Sequence, residues 1–244
     1  MKYLVLGDIH NEYKMFMDAV LFADQHDLQI ISIGDLVDYG PHAKSTIHLA
    51  RTIATTKGAR FIEGNHDNKI YRYLKGNDVT VVKQMEQTIA DLESDQIVKD
   101  NFNYIYEHMV SWLNIGDTYL THGAFTSTFW EGDTDSKRAK RAYLYGEIDP
   151  SKPFVEYNGQ QYPHRTYEWA DAVPEGKTVI VGHDRTPLTP VPAFTEEHNT
   201  VTVHNSKAGG KVIWIDTGAG KGGHVTGAIL DSSGVFQRVE HFGK

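Results

Sequence analysis

The chain contains no cysteine among its 244 residues, which excludes disulfides and thiolate metal sites, so any metal must be held by carboxylate, imidazole, amide or water. That absence fits a reducing compartment. Long apolar runs are missing too. The opening Met1-Lys2-Tyr3-Leu4-Val5-Leu6 starts like a signal segment, but Gly7-Asp8 interrupts it far short of a secretory or membrane segment. A soluble, cytoplasmic protein without membrane association is expected. Nor is there a cationic excess. A net charge of −8 argues against a broad non-specific nucleic-acid surface, which needs clustered Lys and Arg, yet it leaves room for recognition of a nucleic-acid end. No Pro/Gly/Ser-rich linker, repeat or low-complexity run divides the chain, and its length suits one α/β domain over residues 1–244.

What the chain does have is one grammar used six times. Apolar runs close on Gly7-Asp8-Ile9-His10, Gly34-Asp35-Leu36-Val37-Asp38, Gly64-Asn65-His66-Asp67, Thr121-His122-Gly123, Gly182-His183 and Asp216-Thr217-Gly218. Lys2–Leu6 and Leu28–Ile33 are short, Val/Ile/Leu-rich and bounded by glycine, the pattern of fully buried strands. Between them, residues 11–27 place Met15, Ala19, Phe22 and Ala23 at helical spacing, and residues 43–56 repeat the pattern with Ile47, Ala50 and Ala54. Residues 60–63 return as a strand. The first third therefore reads β-α-β-α-β, with a polar residue just past each strand end.

Residues 68–112 lack strand signals and show helical periodicity, so a helical insertion is expected there. Strands resume at 118–121, 178–181 and 211–215. A C-terminal hairpin pairs 225–230 with 235–242 around Asp231-Ser232-Ser233-Gly234. Residues 124–172, rich in Tyr, Trp and charge, read as an irregular substrate-loop region. Of the thirteen histidines, His26, His108, His198, His204 and His241 lie outside the strand-end motifs and read as surface or packing residues.

The strand-end residues suit two divalent cations. Such ions, roughly 3.5–4 Å apart, need a bridging carboxylate to offset their repulsion, and they acidify a water held between them. Asp35 suits the bridge, Asp8 and His10 complete the first ion, and Asn65, His122 and His183 complete the second. Oxygen and nitrogen ligands without sulfur suit Mn2+, Fe or Zn2+ without choosing among them, and Mn2+ is the first expectation. His66, beside Asn65, is better placed to protonate a leaving oxygen, and Asp38 to orient that imidazole.

These motifs, in this order and near this spacing, resemble the calcineurin-like metallophosphoesterase superfamily over nearly the whole chain. The stretch Asp216-Thr217-Gly218-Ala219-Gly220-Lys221-Gly222-Gly223 resembles the C-terminal signature of its branch of phosphoprotein phosphatases, diadenosine tetraphosphatases and the phosphatase module of bacterial polynucleotide kinase-phosphatase. That last module is the nearest likeness, through Asn65-His66-Asp67-Asn68-Lys69, Tyr143-Leu144-Tyr145-Gly146-Glu147 and Arg165-Thr166-Tyr167-Glu168-Trp169-Ala170. No Walker-type phosphate loop occurs, so no kinase accompanies it. The resemblance implies a four-layer α/β/β/α sandwich and hydrolysis of phosphate mono- or diesters by a hydroxide between the metals. It also implies that Asp216 supports the ligands from behind and that Arg165 holds the phosphate.

Two positions depart from this pattern. Tyr39 stands where the branch has an arginine, and a phenol brings one hydrogen bond and no charge to a phosphate. Asn11 replaces a glycine after Asp-x-His. Arg165 and Arg185 are candidate compensating cations. Nucleotide or nucleic-acid ends are the leading substrates, with a protein Ser/Thr phosphatase or a dinucleoside polyphosphate hydrolase as alternatives. An inactive scaffold is the non-enzymatic alternative, and no obligate protein partner is evident.

Overall fold

The structure, a computed structural model, describes residues 1–157, 160–188 and 199–243. One five-stranded sheet runs in the order β12 (Phe236–Phe242), β11 (Val225–Leu230), β1 (Lys2–Leu6), β2 (Leu28–Ser32), β3 (Arg60–Phe61). Its partner runs β4 (Trp112–Ile115), β5 (Thr118–Thr121), β8 (Thr178–Val181), β10 (Lys211–Trp214), β9 (Thr202–Asn205). A small hairpin, β6 (Val155–Tyr157) and β7 (Gln160–Tyr162), stands apart. The central strands β1, β2 and β3 are mutually parallel, as are β5, β8 and β10, while β11, β12, β4 and β9 pair antiparallel at the flanks.

Strand alternation sorts side chains into layers. Val5, Ile31, Leu120, Ile180, Ile213 and Ala228 point between the sheets and form one core. Their neighbours Leu4 and Leu6 face the other way, into a core shared with α1 (Tyr13–Gln25), α2 (Ala43–Lys57), α4 (Lys83–Ser94) and α5 (Gln96–Glu107). On the far side, Val179, Val181, Val212 and Trp214 pack beneath α6 (Lys137–Tyr145) and α7 (Glu168–Asp171). The expected four-layer α/β/β/α sandwich results.

The helices follow from spacing and caps. Phe16, Ala19, Val20 and Ala23 give α1 one buried stripe, and α2 ends where Gly58 takes a left-handed conformation at φ 66°. Asp95 opens α5 by accepting from the Ile97 and Val98 amides. No helix among the described residues is long and apolar enough to cross a membrane.

Three boundaries differ from the sequence expectation. The helical insertion comprises α3 (Asn65–Leu74), α4 and α5, and it ends before Trp112, which instead begins edge strand β4. Residues 124–172 are not irregular throughout, since they carry α6, α7 and the small hairpin. Strand β9 was not expected at all; an edge strand with alternating half-buried and exposed residues leaves no continuous apolar run to recognise. His198 lies outside the described residues, whereas His26 and His108 bond carbonyls of their own helices and His204 pairs with Asp171.

Candidate active site

Every strand-end residue singled out in the sequence converges at one end of the two sheets. Asp8 follows β1, Asp35 follows β2, Asn65 opens α3 just after β3, His122 follows β5, His183 follows β8 and Asp216 follows β10. The flanking glycines permit this closeness: a Cβ on Gly64 would overlap Asp35, and one on Gly182 would overlap the Asp8 carboxylate. Backbone strain concentrates here too. His10, Asp35, Asp38, Tyr39 and His183 all have positive φ, between 48° and 74°.

Second bonds of the side chains fix their aim. His10 Nδ1 donates to the Val37 carbonyl at 2.9 Å, so its Nε2 faces Asp8 Oδ2 and Asp35 Oδ2, each 3.6 Å away. His122 Nδ1 donates to the Ile33 carbonyl at 2.9 Å, and its Nε2 lies 3.4 Å from Asp35 Oδ1 and 3.1 Å from Asn65 Oδ1. Asp8 Oδ1 accepts from the His183 amide, tying the first motif to a later one. Asp67, although not a member of the cluster, clamps two motif loops by accepting from Leu36 N and Gly64 N.

Ligand atoms of His10, Asp35 and His66 lie within 4.8 Å of one another, and so do those of Asp35, His122 and His183. Asp35 is common to both groups. Buried oxygens Asp8 Oδ2 and Asp216 Oδ2 have no hydrogen-bond partner among the described residues. A cation would satisfy buried carboxylate oxygens left this way, and the oxygen and nitrogen donors suit a divalent metal. The donor set therefore fits two metal ions with a shared carboxylate.

The electrostatics are consistent with that fit. Burial, with Asp216 nearby, holds the Asp8 carboxyl well above its usual range. Burial would raise Asp35 as well, but His122 and His66 outweigh it and hold Asp35 well below. Burial and Lys221 depress His10; burial and Arg165 depress His183. Both imidazoles are thereby kept neutral, the form that binds metal. Burial opposes a charge on His122, yet Asp35 pushes it up to about 9, so a proton occupies this position until a metal displaces it.

His66 Nδ1 is held by Asp38 Oδ2 at 2.7 Å, which commits that nitrogen and leaves Nε2 for the cleft. The insertion braces this pair. Thr88 of α4 receives the Asp38 amide, and the Tyr39 amide donates to the Gln84 carbonyl. Asn11 likewise turns toward α4, donating to Thr88 Oγ1 at 3.0 Å with its φ at 57°. Asparagine tolerates this left-handed backbone, and its amide points away from the cluster, so the departure from glycine leaves the cluster unobstructed.

A cleft of about 330 Å³ opens over the cluster, lined by Asp35, Tyr39, Asn65, His66, Arg165, His183, Arg185 and Lys221. Arg165 reaches His183 Nε2 at 3.2 Å and is anchored by Asp184 at 2.8 Å. Arg185 is buried and donates to Asn199 Oδ1. Asp216 accepts from the Gly218 amide and stands behind Asp8 and Lys221. Lys221 is the one cation that sequence reasoning missed. Its only sequence signal was a charged residue inside the glycine-rich run after Asp216.

Comparisons with known proteins agree with this geometry. Residues 1–187 match the calcineurin-like phosphoesterase family. A Halalkalibacterium halodurans protein named bis(5'-nucleosyl)-tetraphosphatase (asymmetrical) is 30% identical over 245 residues, spanning 93% of this chain and 89% of the relative. Its namesake from Bacillus subtilis is 27% identical over 248 residues, spanning 93% and 90%. Among solved structures, a metallophosphoesterase from Sphaerobacter thermophilus superposes with a TM-score of 0.55 at 19% identity, over 99% of this chain and 89% of that one. A protein serine/threonine phosphatase from Saccharomyces cerevisiae gives 0.53 at 13% identity, over 100% and 80%. Those two likenesses establish a shared fold alone. Within the branch, the sequence likeness put the nucleic-acid-end phosphatase nearest, while these relatives bear the name of dinucleoside tetraphosphatases. With three quarters of its length matched and its motifs assembled at one cleft, the chain belongs to the calcineurin-like phosphoesterase family and is a hydrolase of phosphate ester bonds.

Proposed function

We propose that residues 1–244 act as a single unit that hydrolyses dinucleoside polyphosphates asymmetrically, with two divalent cations as cofactors. The observation that carries this reading is the cleft itself: Arg165, Arg185 and Lys221 line it in a chain whose net charge is −8. Three cations gathered against the overall charge favour a polyanion with several phosphates. The names of the relatives support the same choice. A nucleotide substrate also fits the expected cytoplasmic location.

In this reading Asp8, His10 and Asp35 hold one cation, and Asp35, Asn65, His122 and His183 hold the other, with Mn2+ foremost. The bound cations would acidify an attacking water and neutralise charge on the phosphate. Arg165, fixed by Asp184, orients the phosphate by a planar fork of N–H donors. His66 supplies a proton from Nε2 to the departing oxygen while Asp38 holds Nδ1 and orients the ring. Asp216 supports the site from behind by attracting the Lys221 ammonium and by accepting from the Gly218 amide at the base of its loop. No ligand position is lost, which counts against an inactive scaffold.

Product analysis tests the proposal. Protein loaded with Mn2+ should convert diadenosine tetraphosphate to ATP and AMP. Two molecules of ADP, or faster turnover of a phosphoserine peptide or an RNA 2′,3′-cyclic phosphate end, would replace it with the corresponding alternative.

A further inference from the structure

Lys221 lies on the loop between β10 and β11, yet its ammonium reaches the far side of the cluster. Nζ is 3.1 Å from His10 Nε2 and 4.5 Å from the centre of the Tyr39 ring. Burial works against its charge, and Asp216, Asp8 and Asp35 more than offset this. None of those carboxylates is close enough to form an ion pair with it among the described residues. Arg165, by contrast, is tied to Asp184. His10, in one group of ligand atoms, and His183, in the other, thus each have one cation set against Nε2.

The loop is shaped to hold Lys221 there. Gly218 and Gly220 have φ of 79° and 71°, and the Lys221 and Gly223 amides both donate to the Gly218 carbonyl. A Cβ on Gly220 would lie 2.8 Å from the Cβ atoms of both His10 and Tyr39. Only glycine lets the loop press this closely on the first two motifs. The base of the lysine is therefore fixed beside His10 and Tyr39.

The present partner of Lys221 cannot be its working partner. If the lone pair of His10 Nε2 binds a metal, it can no longer accept a hydrogen bond, and the ammonium loses that partner at the edge of the cleft. An anion in the cleft over Asp35 would give it a new one. We propose that Lys221 is a substrate-binding residue that grips the non-bridging oxygens of the phosphoryl group under attack, opposite Arg165. This rests on the phosphoesterase reading of the cleft. Tyr39, on the same side, brings a phenol and no positive charge, so Lys221 supplies the charge of that wall.

Wild type, Lys221→Met and Lys221→Arg, each loaded with Mn2+, are compared for inorganic phosphate binding by calorimetry, for metal content and for melting temperature. Lys221→Met should retain two metals and bind phosphate about 10- to 100-fold more weakly, the effect of losing one charge-assisted hydrogen bond. Lys221→Arg should recover most of that loss. Phosphate affinity within about twofold of wild type in Lys221→Met would overturn the proposal. So would a parallel loss of metal, which would make Lys221 a support for His10 only. If Lys221→Met does not fold, Lys221→Gln is carried through the same comparison. A wild-type protein that neither binds phosphate nor hydrolyses an aryl phosphate would overturn the reading of the cleft itself, a failure visible before any variant is made.

Discussion

Asp38 Oδ2 sits 2.7 Å from His66 Nδ1 across 28 residues of chain, and Asp38 is completely buried while His66 reaches the cleft. A buried carboxylate behind an imidazole fixes its tautomer and its orientation. His66→Ala should therefore keep both metals and lose about 10²- to 10⁴-fold in kcat on substrates with poor leaving groups. An activated nitrophenolate needs little protonation, so its hydrolysis should fall far less. Measuring kcat/KM over aryl phosphates of graded leaving-group pKa checks this, and an equal loss along the series would remove His66 from the acid role.

Asp35 is common to both groups of ligand atoms, and its oxygens divide between them, Oδ2 toward His10 and Oδ1 toward His122. An amide offers one acceptor oxygen and no charge. Asp35→Asn should release at least one metal, weaken the affinity for the other by more than about 100-fold and abolish turnover. Elemental analysis after gel filtration gives the count; two metals retained with near-native rate would place the bridge elsewhere.

Metal uptake should depend on pH through His122. Its folded value, about 9, is above the ordinary 6.5, so in the metal-free protein its charge adds stability that is fully present below about 6.5 and is lost as pH rises through about 9. A metal must displace that proton. Apparent Mn2+ affinity should therefore rise about tenfold per pH unit from about pH 7 to 8.5, with close to one proton released per ion at this position. Titration calorimetry in buffers of different ionisation enthalpy counts the protons. Affinity that is flat with pH would show that His122 binds metal without giving one up.

Much of the site was legible because its residue types are chemically unusual where they occur. A carboxylate, amide or imidazole directly after a buried strand and a glycine has few structural uses, and four such positions, Asp8, Asp35, Asn65 and His183, meet His122 and Asp216 at one end of the sheets. Central strands were legible for a related reason: burial on both faces requires an unbroken apolar run, as in β1. Edge strands β4 and β9 bury one face at most, and the alternation is too short to separate from loop. Lys221 was illegible for a different cause. Its contact with His10 spans 211 residues, and no local pattern in Gly220-Lys221-Gly222 announces a partner that far away. Asp38 sits between these cases, since its spacing from Asp35 suggested a role but only the fold shows it beneath His66.

Tyr39 and Lys221 form one wall of the cleft, with the phenol ring 4.7 Å from His10 and 5.2 Å from His66 and the ammonium 4.5 Å above it. A phosphomonoester is close to a dianion at neutral pH and a diester is a monoanion, so a guanidinium at position 39 should favour monoesters. Placed alone on this wall, it would raise the monoesterase to diesterase ratio by about one to two powers of ten. Lys221 already supplies positive charge there, so Tyr39→Arg should gain about tenfold or less in the native background and more when combined with Lys221→Met. Measuring kcat/KM for wild type, both single variants and the double variant on a matched aryl monoester and diester pair isolates the coupling between the two positions. An equal gain in both backgrounds would mean that positions 39 and 221 serve different parts of the substrate, and no gain in either would mean that Tyr39 does not set selectivity.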